Sequence, residues 1–502
     1  MDYIKLFSTE AEQNAFRQSS DYVEPHVSWC EDMEEVKYNK TAEEWANEYF
    51  TTIARENGTI SFNIWKSMGT DMITSISYST DNGEIWNTTN NTDNKSEHLV
   101  IDVNVGEGDK VLWKGSAQQL GYYDENDYND VVGSFFSSTC EFDAQGNVMS
   151  LLYGDNYKNQ MTIEETGAFC CLFYDYDGEN TCEVVNTKNL SLPATTLATY
   201  CYCSMFQGCT SLTTAPELPA TTLAEDCYIS MFYGCTSLTT APALPATTLA
   251  DGCYWNMFRV CTNLTTAPEL PATTLAEDCY NGMFSGCLSL VTAPELPATT
   301  LANYCYQYMF SNCPNLTTVP ELPATQLTDS CYLYMFMDCT SLTTAPELPA
   351  TTLADSCYTS MFKGCTNLVN APELPATTLA GGCYDSMFQG CTSLTTAPEL
   401  PATTLAGSCY RSMFHSCISL QKAPELPATK LTSGCYVVMF SNCTSLNYIK
   451  AMFTTTPNIN YTNNWVNNVA SSGTFVKNSA ATWNVTGVNG VPTGWTVQTA
   501  SE

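Results

Sequence analysis

The dipeptide Cys-Tyr returns every 26 residues, at Cys201, Cys227, Cys253, Cys279, Cys305, Cys331, Cys357, Cys383, Cys409 and Cys435. A second cysteine follows eight residues after each, from Cys209 to Cys443, and LPAT occurs ten times between Leu192 and Leu426. The unit reads CYxxMFxGCTSLTTAPELPATTLAxx. A fixed period of roughly 20 to 50 residues is the mark of a solenoid, because one unit cannot bury its apolar face alone and stacked units can. Within the unit, the spacing of Tyr, Met, Phe and Cys predicts a short helical turn facing inward. TSLTTA, rich in Thr with Leu pointing in, suits a short strand. PELPATTLA holds two prolines, which donate no ladder hydrogen bonds and mark a turn and an extended arm. At strand spacing, about ten coils make a rod or arc on the order of 50 Å long.

These residues resemble the BspA-type leucine-rich repeat: an LP arm, an inward Leu, then a turn ending in F-x-x-C-x-x-L. In the first unit Phe206, Cys209 and Leu212 match that ending, and Leu218, Pro219 and Leu223 match the arm. The resemblance covers residues 187–447, about half the chain. It implies a surface or adhesion protein of the kind carried by gut anaerobic bacteria, or a related component of their phages.

Composition narrows the partners. The 502 residues include 52 acidic against 18 basic side chains, a net charge of −34. Nucleic acid and anionic membrane both require Lys and Arg to neutralise phosphate, so neither is an expected partner. No apolar run reaches the roughly 18 residues of a membrane span. The N-terminal MDYIKLFSTEAEQNAF lacks the basic segment and apolar run of a secretory signal, so the chain is expected to be made in the cytoplasm and to stay soluble.

Three repeat columns carry functional alternatives. The cysteines are either small inward hydrophobes or a ladder of disulfides or metal ligands; a reducing cytoplasm and the absence of paired CxxC motifs favour the first. Glu217, Glu269, Glu295, Glu321, Glu347, Glu373, Glu399 and Glu425 share one position, broken by Ala243. Stacked near ~5 Å they repel by about 1 kcal/mol per neighbour in water. They form a solvated face or a stripe for cations, weak calcium binding being the one cofactor expectation. The two positions between CY and MF vary while their flanks do not; Trp255, Tyr308 and Tyr334 there are the candidate stacking residues for a ligand.

The flanks read as three further segments. Residues 1–56 form a docking or cap module, with capping boxes at Thr9-x-x-Glu12 and Thr41-x-x-Glu44. The second opens a helix with Trp45, Tyr49, Phe50 and Ile53 on one face. Residues 57–186 switch to period two, and ISFNIW, MITSISYS, EIWNTT, LVIDVNV, KVLWKG, NVMSLLYG and AFCCLFYDY read as strands of an antiparallel β-sandwich-like domain, with Asn82-Gly83 a hairpin turn. The acidic loops at 122–130 and 175–179 lack the EF-hand spacing. Residues 448–502, where the period ends, form a C-terminal cap whose core holds Trp465, Trp483 and Trp495.

The fold class expected is therefore α+β with a repeat solenoid. The histidines are His26, His98 and His415, and HExxH, GxSxG and a Walker loop are all absent from the sequence. No enzyme is expected. A recognition protein fits, binding cell-surface protein or glycan and attached through its N-terminal region to a larger assembly; a homo-oligomer stays open. Without a visible export signal, the virion reading is favoured over a bacterial surface adhesin. A ligand-free spacer is the third reading.

Overall fold

A computed structural model describes residues 42–64, 73–90, 99–117, 120–123, 131–176, 178 and 181–500. The Thr9 capping box and most of the acidic loop at 122–130 lie outside them, as do parts of that at 175–179. Among the described residues strands predominate and helices are few and short. A short helix α1 (Ala42–Ala46) gives way within four residues to β1 (Phe50–Ala54). The helix read onward through Phe50 and Ile53 is therefore a strand. Thr51, Thr52 and Ile53 are β-branched, and β1 is held antiparallel on both sides, by β10 (Phe142–Asn147) and by β6 (Lys110–Ala117). Tertiary pairing outweighs the helical spacing.

The first sheet places β11 (Val184–Asn186), β10, β1, β6, β3 (Ile73–Ser79) and β4 (Asn87–Asn90) side by side, with β12 (Leu190–Ser191) also on β10. β3 and β4 pair antiparallel across Asn82 and Gly83, both at positive φ, the conformation a tight primed turn requires. A second sheet orders β5 (Leu99–Val105), β2 (Gly58–Ile64) and β9 (Phe135–Ser138). Aromatic rings from both sheets meet. Phe62 lies 4.6 Å from Phe136 and 6.2 Å from Trp113, and Phe50 lies 5.2 Å from Phe136. Trp113 is fully buried and its indole N–H donates to the Thr52 hydroxyl at 3.1 Å.

Two segments read as strands fold otherwise. In NVMSLLYG, β10 stops at Asn147, whose side chain accepts from the Met149 N–H at 2.9 Å, and α2 (Ser150–Tyr153) follows with Leu151 and Leu152 turned into the core. AFCCLFYDY is not a strand but the first layer of the repeat stack. The N–H groups of Phe169, Cys171 and Phe173 donate to the carbonyls of Cys201, Cys203 and Met205 at 2.8 to 2.9 Å. Phe173 touches Phe136 on one side at 5.8 Å and stacks on Phe206 on the other at 4.8 Å. One buried core thus runs without interruption from Phe50 to Trp495.

Within the repeats the expected helical turn is a different structure. In the segment from Tyr304 to Asn312, alternate residues bond locally, Gln307 N–H to Tyr304 C=O at 3.0 Å, Met309 to Tyr306 at 3.2 Å and Ser311 to Tyr308 at 3.0 Å. The residues between them bond to the next repeat, Tyr306 to Cys331 at 3.0 Å, Tyr308 to Leu333 at 2.9 Å and Phe310 to Met335 at 2.9 Å. An α-helix would send every N–H four residues back. This run of linked turns is possible because every fourth residue is left-handed: φ is 57° at Tyr304, 55° at Tyr308 and 58° at Asn312. Elsewhere those columns hold chiefly Gly, Asn, Asp and Ser, the small residues that tolerate or favour that region.

The side chains between those hinges build the core. Phe232, Phe258, Phe284 and Phe310 stack at 5.5 to 5.8 Å and within 7° of parallel, and the tyrosines from Tyr228 to Tyr410 stack at 5.7 to 5.9 Å and within 9°. The threonines of the strand segment form parallel bridges one repeat apart, such as Thr240 with Thr266 and Thr292 with Thr318.

Stacking does not stop at Leu446, where the sequence period fails. Phe440 N–H donates to Trp465 C=O at 2.8 Å, and β13 (Tyr448–Ala451), β14 (Thr474–Lys477) and β15 (Thr496–Thr499) continue the parallel sheet. Trp465, Trp483 and Trp495 are buried, their indole N–H groups donating to Gly490, Phe453 and Ala470 carbonyls at 3.0, 3.2 and 2.7 Å. Repeat geometry here outlives repeat sequence because the larger indoles fill layers that lack the regular side chains.

Candidate recognition surface

The invariant positions of the unit point inward. Cys305, Tyr306, Met309, Phe310, Cys313 and Leu316 are each at most 1% exposed, and the same holds in neighbouring repeats. The cysteine after Phe has a definite role. The Sγ of Cys313 donates to Phe284 C=O at 3.1 Å, that of Cys339 to Phe310 and that of Cys365 to Phe336, again at 3.1 Å. The Phe284 and Phe336 carbonyls already accept the local cysteine N–H, from Cys287 at 3.1 Å and from Cys339 at 3.2 Å. The thiol of the next repeat therefore fills the second lone pair. Cysteine suits the position as a small apolar group with a weak donor. Burial pushes the Cys313 thiol up to about 12, which keeps the donor proton in place. Among the described residues the cysteines are unpaired, and no group of three or more His, Cys, Asp or Glu is placed to hold a metal ion.

Some of the variable side chains face outward. Tyr308 and Tyr334 lie in one column, half-buried and stacked face to face at 4.7 Å and 7°. Trp255 is also half-buried, but in the neighbouring column, in line with Ile229 and Asn281 and two repeats from Tyr308. The structure pairs the two tyrosines and leaves the tryptophan apart. Both tyrosines occupy left-handed hinges where a side chain beyond Cβ carries a conformational cost of roughly 1–2 kcal/mol. His415 is half-buried, its ring within 3.2 Å of the Asn442 amide, and burial followed by the Lys363 charge lowers its pKa.

The glutamates from Glu217 to Glu425 are all exposed. Their row closes on a lysine: Lys450 pairs with Glu425 at 2.8 Å. Between successive arms the same face is grooved. One groove, of about 420 Å³, is lined by Thr318, Glu321, Thr344 and Glu347, and a larger one, of about 740 Å³, lies over the last arms.

A second acidic set was not read from the sequence. Asp251, Asp329 and Asp355 accept the backbone N–H of Glu277, Asp355 and Gly381 in the following repeat at 3.0, 3.0 and 2.7 Å. The signal was available, since Asp and Asn crowd the two positions before Cys-Tyr. Nearby Asp226 is buried over Gly252, and its pKa is pushed up to about 6, first by desolvation, against a hydrogen bond from Tyr200, with Glu225, Asp278 and Asp251 adding to the rise. The folded state therefore holds a proton that the unfolded chain releases between about pH 4 and 6, and stability falls as pH rises through that window. Asp226→Asn is expected to raise stability at pH 7.5 by on the order of 2–3 kcal/mol and to change it little at pH 4. Urea midpoints at the two pH values check this; an equal shift at both would contradict it.

The architecture defines a repeat protein that presents a long, patterned surface. The BspA type leucine-rich repeat region model matches in six copies, across residues 178–317, 255–395 and 360–468. The match covers more than half of the sequence, and the chain belongs to the BspA-type leucine-rich-repeat family. That family is generally one of non-enzymatic repeat and adhesion proteins, and its repeats fit a surface recognition protein with a protein-binding role. Among curated proteins no sequence match is found. Among solved structures, a chain of a TLR13–ssRNA13 complex is similar at 14% identity and a TM-score of 0.24, over 59% of this chain and 43% of that one. This likeness is too slight to carry an argument about function. Among the described residues no helix is long and apolar enough to cross a membrane.

Proposed function

We propose that this protein is a non-enzymatic attachment protein: a solenoid of about ten 26-residue coils, 187–447, preceded by the layer at 168–176 and carried on a β-sandwich-like domain built from the strands β1 to β10. Residues 1–56 dock to a larger body and residues 448–502 close the far end. The observation that carries this reading is the division of labour within the unit. The near-invariant Cys, Tyr, Met, Phe and Leu are buried, while the glutamate row and variable side chains such as Arg259, Leu288 and Arg411 are exposed. Such a fold offers surface for a cell-surface protein or glycan. Trp255 and the Tyr308–Tyr334 pair remain the proposed ligand contacts, and the exposed glutamate row a weak calcium stripe.

The body to which it attaches is proposed to be a phage virion, as a fibre or decoration assembled in the host cytoplasm; the alternative is the bacterial cell surface. Peptide mass spectrometry on purified phage particles and on washed cell envelopes separates these. Stoichiometric recovery in particles supports the virion assignment, and recovery only in envelopes replaces it with the adhesin. Absence from both overturns the attachment reading.

A further inference from the structure

We infer that the last groove of the repeat face is a binding site for a saccharide bearing isolated carboxylates, such as one uronate per disaccharide. The inference rests on the recognition reading above and deepens it. Along the strand column from Thr214 through Thr396 the residue is Thr, save Asn370; the next two members are Lys422 and Tyr448. Those two are bridged as parallel neighbours, and the Lys422 ammonium lies 5.4 Å from the Tyr448 ring centre. One turn across, Leu426 bridges Ala451, so the glutamate row passes from Glu399 and Glu425 to Lys450. Three successive departures from a near-constant repeat thus converge on the larger groove, whose lining includes Thr396, Glu399, Lys422, Glu425, Tyr448 and Lys450. Three repeats earlier the matching groove has threonine and glutamate as its only polar side chains, with no cation and no aromatic ring.

The lining selects among anions. Lys422, together with the Lys450 donors that Glu425 does not take, suits a carboxylate, which makes charge-assisted hydrogen bonds. Glu399 and Glu425 beside them repel a polyanion such as an acidic peptide or a nucleic acid, whose charges follow one another closely. A sugar chain with sparse carboxylates avoids that repulsion. Its hydroxyls donate to the glutamates and to Thr396, and its apolar ring face has Tyr448 to rest on. In a chain of net charge −34, Lys450 lies between Glu425 and Glu502, a stretch with no other acidic residue, and Lys422 sits just ahead of it. The strongly negative body therefore does not extend to this end of the face.

The test is calorimetric titration of the full chain with a hyaluronan tetrasaccharide, with chitotetraose as the neutral counterpart. Lys422→Thr/Tyr448→Thr/Lys450→Glu serves as the variant, because it returns the site to the sequence of repeats that already fold. Binding of the hyaluronan fragment is expected, weakened at least about tenfold in the variant, weakened by raising salt, and at least about tenfold stronger than chitotetraose. No binding by the unaltered chain, equal binding by the variant, or equal binding of the neutral sugar each overturns the inference. Recovery of the protein in particles or envelopes despite such a failure leaves the recognition reading standing and removes only this site.

Discussion

Phe310→Ala is expected to destabilise the protein by about 3–5 kcal/mol and to make its two sides open separately. Phe310 is fully buried and lies between Phe284 and Phe336, at 5.7 Å from each. Its carbonyl holds the Cys339 thiol of the next repeat at 3.1 Å, and the Phe284 N–H of the preceding repeat donates to Met309 C=O at 2.9 Å, so the layer is tied on both faces. Removing the ring leaves a void that parallel neighbours, fixed by their own backbone bonds, close only in part. In a solenoid each repeat touches its neighbours alone, so stability is a sum of layer and interface contributions. Hydrogen exchange read by peptide mass spectrometry should therefore show lost protection greatest from Tyr280 to Tyr332 and decaying outward. A uniform loss along the whole stack would contradict the nearest-neighbour account.

The second large effect concerns a position with no side chain at all. Gly364 has φ of 76°, and a Cβ built there would collide with the Oδ1 of Asp338 in the preceding repeat. Gly364→Ala is expected to cost about 2–4 kcal/mol, the sum of the left-handed penalty and the displacement of the Asp338 carboxylate from the space the new methyl enters. Asp338→Gly in the same chain removes the obstacle and should return all but roughly 1 kcal/mol. Thermal denaturation of the two single variants and the double variant measures this coupling. If Asp338→Gly gives no recovery, the collision is not the cause.

These two residues also show what the sequence discloses and what it conceals. The 26-residue period and the inward set were legible because each column repeats, and the family followed from them. The helical turn was misread because the spacing of Tyr, Met, Phe and Cys fits an amphipathic helix as well as a chain of turns. What separates the two is the residue at every fourth place. Gly208, Gly234, Asn312, Asp338 and Gly364 occupy one such column, a list that favours the left-handed region and disfavours helix. The paired tyrosines were half legible: Tyr308 and Tyr334 share a column one period apart, so their contact follows from the register, while Trp255 belongs to the column beside it. The N-terminal errors have another origin. Phe50 to Ala54 is a strand because β6 and β10 flank it, and partners so distant in sequence leave no local trace. The tail was opaque because Trp465 takes the layer position of Met without the surrounding motif, and only the hydrogen bonds reveal the register.

The alternation of backbone bonds within the turns has a mechanical consequence. Half of the N–H groups between Tyr304 and Asn312 are spent within their own repeat and half on the next, the latter running along the stack. A pull on the two ends would load that second set along the bond direction, one layer at a time. Peeling one layer frees 26 residues, roughly 85–90 Å of slack where about 5 Å had been. Force spectroscopy on the full chain is expected to record a train of near-equal extensions at similar forces, so that a solenoid of this design yields by instalments as it lengthens.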